Sequence, residues 1–349
     1  MMYNKHNLIK IGSREIGYGK PCFVVAEIGS NHNQDFSLAC KQIDSAASAG
    51  VDAVKFQTFR AIDHYSKRSP SFNYLGNVNT HDLIKSLELN RSWQKKLKLH
   101  AEAQGLIFFS SPCDLDAIKS LEDINVELYK VASFDLTDES LISEIAKTKK
   151  PIILSTGMAT LYEIQNAVDA SLSMNNNNII LLQCTSLYPA LPKLSNLHAM
   201  QTLRGSFNTL VGYSDHTIGD HICIAAVTLG ACLIEKHFTI DRNLPGPDHS
   251  FAMETYELKE MIKKIRDVES AFGDGIKNGP RVEEREMAEK GKRSLHAKID
   301  ISKGEVIQTE MLSVKRPGLG LHPSMKKYVI GKYAKQDISA DEWISWEMI

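Results

Sequence analysis

Several things that would have narrowed this protein's role at once are scarce or missing. Among 349 residues there are six cysteines, Cys22, Cys40, Cys113, Cys184, Cys223 and Cys232, and no CxxC pair. A disulfide framework or a thiolate zinc module is therefore not expected, and scattered single thiols suit a reducing compartment. The sequence has no run of about 18 apolar residues, the length that spans a bilayer. It has no long basic block either: 41 Lys and Arg face 42 Asp and Glu, a formal net charge of −1. Such a balance gives no general field for nucleic acid or a membrane surface. The opening residues, MMYNKHNLIK, lack an apolar core, so no secretion signal is expected and the protein reads as cytoplasmic.

What is present is rhythm. Short apolar runs lie at 22–29, 52–57, 106–111, 127–133, 151–156, 178–186, 209–214 and 231–238. Amphipathic stretches separate them, among them 37–50, 90–105, 160–174 and 254–273. Gly50 and Gly105 are stop signals for two of these, and Thr160 with Glu163 forms a capping box that starts a third. Near-continuous apolar strands between helices imply parallel strands covered on both faces. Eight such units in about 250 residues predict a (β/α)₈ TIM barrel; a doubly wound open sheet is the alternative. The expected layout is a barrel over 1–275, a polar Gly-rich linker over 276–293, and a small β-rich domain over 294–349. A domain of about 55 residues is marginal alone and should dock on something.

A barrel demands that its chemistry sit at the carboxyl ends of the strands, and every predicted strand ends in polar residues. Glu27 ends the first and Lys55 and Gln57 the second. Ser110 and Ser111 follow, then Lys130 and Ser133, Ser155 and Thr156, and Gln183, Thr185, Ser186 and Tyr188. Ser214, Asp215 and His216 end the seventh strand, and Glu235, Lys236 and His237 the eighth. Buried polar groups converging on one mouth are costly unless used.

Three constellations carry chemistry. His216 and His237 occupy matched positions on neighbouring strands and can share an exchangeable divalent cation such as Mn²⁺ or Mg²⁺; otherwise each is a satisfied polar residue. Lys55 and Lys130 lie inside apolar runs and must be paired or used. They can bind an anion with Ser133, Ser155 and Ser214, pair with Glu27 or Glu235, or, for Lys130, form a Schiff base. Glu27, Asp135, Glu235 and Asp248 can accept sugar hydroxyls or move protons, although Asp248 sits in a turn-rich loop where Asp is common anyway. A weaker signal is STGM (155–158), where backbone N–H groups after a strand can cradle phosphate.

The motifs AEIGSNHN (26–33), VKFQTF (54–59), YKVAS (129–133), LSTGM (154–158), LLQCTSLYP (181–189), GYSDHT (212–217), EKHFT (235–239), GPDH (246–249) and KRPG (315–318) occur in order. Together they closely resemble the sialic acid synthase family, the nonulosonic acid synthases. The resemblance implies a TIM barrel with a C-terminal antifreeze-like (SAF) domain, in a homodimer whose SAF domain reaches the partner's active site. It implies condensation of phosphoenolpyruvate with N-acetylmannosamine or a related amino sugar such as a 2,4-diacetamido-trideoxyhexose, with release of phosphate. It makes His216 and His237 metal ligands and Lys55, Ser111, Lys130, Ser133, Ser155, Ser186 and Ser214 the phosphoenolpyruvate site. Glu27, Gln57, Asp135, Tyr188 and Asp248 would face the sugar, Glu235 would lie near the metal, and Arg316 would bind the acyl-amino sugar. Catalysis would fall to Glu27, Lys55, Gln57, Lys130, Asp135, Glu235 and Asp248. CTSLYP, ASFD and GLHP (320–323) resemble the pseudaminic acid synthases, whereas GPDH resembles the sialic and legionaminic types.

Other functions compete. A phosphoenolpyruvate-dependent 3-deoxy-sugar phosphate synthase would want a second cationic cluster, for which Arg60, Lys67 and Arg68 are available. A Schiff-base pyruvate aldolase would use Lys130. A non-enzymatic carbohydrate-binding protein would leave the strand-end polar groups without a purpose.

Overall fold

The computed structural model describes residues 8–71 and 78–349. They fold as two compact units, Met1–Phe272 and Gly273–Ile349.

The first unit opens with a hairpin that the sequence pattern does not announce: β1 (Ile9–Ile11) pairs antiparallel with β2 (Arg14–Ile16). Eight parallel strands follow: β3 (Phe23–Gly29), β4 (Ala53–Thr58), β5 (Ile107–Pro112), β6 (Tyr129–Val131), β7 (Ile152–Ser155), β8 (Ile179–Cys184), β9 (Leu210–Asp215) and β10 (Leu233–His237). They close into a barrel when β10 pairs with β3, His237 opposite Glu27. The fold is the expected TIM barrel with intervening helices.

The helices start and stop where their signals stand. Asp35 caps Phe36–Ala49 by accepting from the Ser37 and Leu38 N–H groups, and Gly50 ends it at φ 90°, a left-handed conformation that glycine adopts without Cβ strain. The Thr160–Glu163 capping box heads Leu161–Ser173.

Side chains alternate across a strand, and here the alternation sorts them by depth. At the floor, Phe23, Val25, Ala53, Phe109, Leu128, Ile153, Ile180, Leu182 and Leu233 form one apolar cluster with Ile9, Ile11 and Ile16 of the hairpin. Burial of such side chains contributes about 1.5–3 kcal/mol each. Two residues further along the same strands, at the same inward parity, the chain turns polar: Glu27, Lys55, Ser111, Lys130, Ser155, Ser214 and Glu235. The opposite parity faces the helices and belongs to a second, larger core that includes Val24, Phe56, Phe108, Tyr129, Leu154, Leu181, Tyr213 and Ile234.

In the second unit, β11 (Ser294–Ala297) and β12 (Leu312–Lys315) pair antiparallel. Isolated bridges join His296 to Trp343, Ile301 to Ile338 and Val306 to Tyr333. Leu295, Ile301, Ile307, Leu312, Val329, Ile338 and Ile344 form its core. The stretch 276–293, expected as a plain linker, carries a short helix, Arg285–Gly291. The Glu289 carbonyl accepts from the Gly318 N–H and the Gly291 carbonyl from Arg316 Nε, so this stretch is tied to the small unit. No helix among the described residues is long and apolar enough to cross a membrane.

Candidate active site at the barrel mouth

The inward polar layer is a connected set of charges. Lys55 Nζ lies 2.9 Å from Glu27 Oε1 and 3.6 Å from Glu235 Oε2, and Lys130 Nζ lies 3.5 Å from Glu235 Oε1. Gln57 Nε2 donates to Glu27 Oε1 at 2.8 Å and Ser214 Oγ to Glu235 Oε1 at 3.1 Å. All four charged side chains are at most 5% exposed. The lysines are thus paired internally, yet the layer is not satisfied. Glu27 Oε2, Glu235 Oε2, Ser111 Oγ, Ser155 Oγ and Ser186 Oγ are buried without a hydrogen-bond partner. Orphaned buried polar atoms are costly and rare, so this many at one end of the barrel marks a place prepared for a polar ligand.

The electrostatics separate the two glutamates. Burial, assisted by the charge of Glu235, pushes the Glu27 carboxyl up despite Lys55. Burial acts on Glu235 too, but Lys130 and Lys55 outweigh it and hold that carboxyl down. Burial pushes the Lys130 amine down, and Lys55 adds to the effect.

Around the layer the loops bring further groups. Ser133 Oγ accepts from the Gly157 N–H at 3.1 Å. A Cβ at Gly157 would collide with the Ser186 hydroxyl and lie 2.9 Å from Ser133 Oγ, so the STGM turn admits only glycine at this close approach. Gly29, at φ 54°, likewise lets β3 bulge beside Glu27 and Gln57.

His216 and His237 face each other with ring centroids 5.3 Å apart, and the Tyr188 ring lies 4.3 Å from His216 and 5.9 Å from His237. His216 Nδ1 is 2.7 Å from the Thr185 carbonyl, which accepts its hydrogen bond. Burial pushes this imidazole down, but Cys184 and that carbonyl outweigh it and hold it above its usual range, so Nε2 coordinates a cation by giving up its proton. His237 Nδ1 is buried without a hydrogen-bond partner, 3.7 Å from Asp248 Oδ2. Burial holds the His237 imidazole well below the usual range, with His216, Lys55, Lys236 and Lys130 adding to the effect, so it is neutral, the form that binds metals. The Asp248 carboxyl is raised to about 6, by burial and then by Glu27. These groups fit a divalent ion.

A model of the NeuB family matches residues 42–277, and one of the SAF domain matches residues 292–349. The chain belongs to the NeuB family. It is 41% identical over 332 residues to the N,N'-diacetyllegionaminic acid synthase of Campylobacter jejuni, covering 93% of this chain and 99% of that one. It is 36% identical over 334 residues to the pseudaminic acid synthase of Helicobacter pylori, covering 93% and 97%. Among solved structures, an N-acetylneuraminic acid synthetase from Leptospira borgpetersenii, crystallised with citrate, superposes with a TM-score of 0.72 at 34% identity, covering 80% of this chain and 94% of that one.

Measured against the expected site, this NeuB-family barrel brings Glu27, Lys55, Gln57, Lys130, Ser214 and Glu235 into one network. It leaves the hydroxyls of Ser111, Ser155 and Ser186 free and engages those of Ser133 and Ser214. Two acidic or lysine side chains at strand ends do not join it. Asp215 and Lys236 have the outward parity and form their own buried pair at 2.6 Å, between barrel and helices. Arg316 lies exposed in the second unit. Arg60, Lys67 and Arg68 are all exposed, and Arg60 faces Asp116 at 3.5 Å. Sequence reasoning passed over His64, Cys113 and Cys184. Cys184 Sγ lies 3.9 Å from His216 Nδ1. Asp135 faces His64 Nδ1 at 3.9 Å and Cys113 Sγ at 3.7 Å. Cys113 directly follows the carboxyl end of β5, so the strand-end rule was the signal that pointed to it.

Proposed function

We propose that this enzyme condenses phosphoenolpyruvate with an open-chain 2,4-diacetamido-trideoxyhexose, giving a nine-carbon nonulosonic acid and inorganic phosphate. The observation that carries the reading is the donor arc: Lys55, Ser111, Lys130, Ser155 and Ser186 come from, or directly follow, five consecutive strands, β4 to β8. Two ammoniums and three partnerless hydroxyls match the carboxylate and phosphate of phosphoenolpyruvate. The choice of a diacetamido sugar over N-acetylmannosamine rests on the 41% identity to a synthase named for an N,N'-diacetyl product.

In this reading C3 of phosphoenolpyruvate attacks the sugar aldehyde, water adds at C2, and phosphate leaves by C–O cleavage. Lys55 and Lys130 hold both anionic ends, so much of their effect is positioning and electrostatics. Glu235, held ionised, is suited to take a proton from the incoming water. Glu27, held towards its neutral form, is suited to give one to the aldehyde oxygen. Carboxyls whose surroundings push them apart divide acid from base in this way. His216 and His237, with Asp248 beside them, would hold Mn²⁺ or Mg²⁺, which supplies Lewis-acid polarisation of the aldehyde. Gln57, Asp135 and Tyr188 line the sugar's side.

The decisive experiment follows phosphate release from phosphoenolpyruvate with a panel of N-acylated aldoses. No release with any of them overturns the reading. Release with N-acetylmannosamine alone moves the substrate to that sugar. The lowered Lys130 amine favours one rival, a Schiff-base aldolase. Borohydride with pyruvate would label Lys130 if that rival were right.

The same reading makes the enzyme a homodimer in which Arg316 donates to the sugar's acyl carbonyl in the partner's barrel. Mixing Lys130→Ala with Arg316→Ala chains should then restore about a quarter of wild-type activity, if subunits exchange randomly and sites act independently. No recovery despite proven exchange removes Arg316 from the partner's site.

A further inference from the structure

A second cluster of metal-ligating side chains sits across the barrel from the two histidines. His64 ends the short helix Ala61–His64 that follows β4, Cys113 follows β5, and Asp135 lies in the turn after β6. The ring order places β5 opposite β9, the strand that leads into His216. Among the described residues, this is the one group of three His, Cys, Asp or Glu whose ligand atoms all lie within 4.8 Å of one another.

We propose that His64, Cys113 and Asp135 form a binding site for a zinc-type divalent cation. Zinc bonds of about 2.0–2.3 Å in tetrahedral array put ligand atoms roughly 3.3–3.8 Å apart. Cys113 Sγ lies 3.7 Å from Asp135 Oδ2 and His64 Nδ1 lies 3.9 Å from its Oδ1; with one atom from each residue already within 4.8 Å of the others, side-chain rotations close the site. The thiolate is what favours zinc here over Mg²⁺ or Mn²⁺, which are poorly matched to a soft sulfur ligand. Charge balances as well: the cation offsets a thiolate and a carboxylate that would otherwise repel each other in a partly buried place. The His64 ring is already held, stacked on Phe59 at 5.9 Å and edge-on to Tyr65 at 4.9 Å. Three protein ligands leave one position open at the rim. Resting on the function proposed above, occupancy would draw Asp135 away from the sugar, so zinc would inhibit where Mn²⁺ or Mg²⁺ activates.

Binding can be read without activity, which keeps this inference separable from the proposed reaction. The full-length chain, reduced and stripped with chelator, is titrated with Co²⁺. A sulfur-to-cobalt charge-transfer band is expected, lost in Cys113→Ser and displaced by Zn²⁺. His64→Gln, at a rim position, should weaken Co²⁺ at least roughly tenfold. Cys184→Ser should leave the band intact, since that thiol lies beside His216. An unaltered far-ultraviolet dichroism spectrum confirms that each variant is folded. No band in the wild type, a band that survives Cys113→Ser, or one abolished by Cys184→Ser would overturn the site.

Discussion

Two buried lysine–carboxylate systems share the upper barrel, one on each side of its wall. Outside, Lys236 Nζ meets Asp215 Oδ2 at 2.6 Å and also donates to the Thr217 carbonyl. Asp215 in turn accepts from the Thr217 N–H at 3.0 Å, from its hydroxyl at 3.1 Å and from Cys223 Sγ at 3.2 Å. Inside, Lys55 meets Glu27 at 2.9 Å, but Lys55 and Lys130 reach Glu235 only at 3.6 and 3.5 Å, and free hydroxyls and carboxylate oxygens stand around them. Composition and burial are nearly the same on the two sides. What differs is satisfaction: the outer pair is complete, and the inner one is complete only with something added. A buried charge is therefore better judged by the valences left over than by its presence.

The comparison can be broken most forcefully from the outside. Lys236→Met strands Asp215 in the core, and losing one partner of a buried pair costs about 3–5 kcal/mol. Chemical denaturation should show that loss, and Asp215→Leu/Lys236→Met should recover much of it. If Lys236→Met unfolds at the wild-type midpoint, the outer pair is no bolt.

The inner lysines should behave in the opposite sense. Lys55→Ala and Lys130→Ala should each remove a charge-assisted contact of about 1.5–3 kcal/mol, weakening phosphoenolpyruvate binding by roughly tenfold or more. Stability should change little in Lys130→Ala, since Glu235 keeps Lys55, but should fall in Lys55→Ala, which leaves the buried Glu27 with Gln57 alone. Calorimetric titration that finds both affinities unchanged would return these lysines to a purely structural role.

The metal pair gives a smaller, graded effect. Asp248 titrates near about 6 and is protonated below that, so Mn²⁺ affinity should rise with pH through this range, up to about tenfold per unit while one proton is displaced. Asp248→Asn should flatten the curve. His216→Ala and His237→Ala should abolish rescue of chelated enzyme by Mn²⁺ or Mg²⁺. Full activity of both histidine variants in chelator would sink the assignment.

The smallest effect sharpens the contrast most. Ser155→Ala deletes a hydroxyl that has no partner, so its melting temperature should hold or rise slightly. Phosphoenolpyruvate binding should still weaken by about 0.5–1.5 kcal/mol. A clear fall in stability with intact binding would mean that the hydroxyl serves the fold.

The eight strands and the inward groups were legible because barrel strands write themselves as apolar runs ending in polar residues. The hairpin at Ile9–Ile16 was not. Its two three-residue strands have no run to betray them, and their burial exists only once the barrel floor does. Asp215 and Lys236 were grouped with the mouth, although the two-residue period already sets Lys236 apart from Glu235 and His237. The grouping of His64 with Cys113 and Asp135 was out of reach, because only strand adjacency in the closed ring brings residues so distant in sequence together.

The hairpin also carries a kinetic consequence. Ile9, Ile11 and Ile16 pack against the floor residues of the barrel, so among the described residues the way in is from the carboxyl ends of the strands. Lys55 and Lys130 stand one inward layer above that floor, and Tyr188, His237 and Asp248 stand nearer the rim. In a site entered from that side the deeper guest must arrive first and depart last. Phosphoenolpyruvate should therefore load before the sugar, bound sugar should trap it, and the nine-carbon product should clear the rim before phosphate can follow.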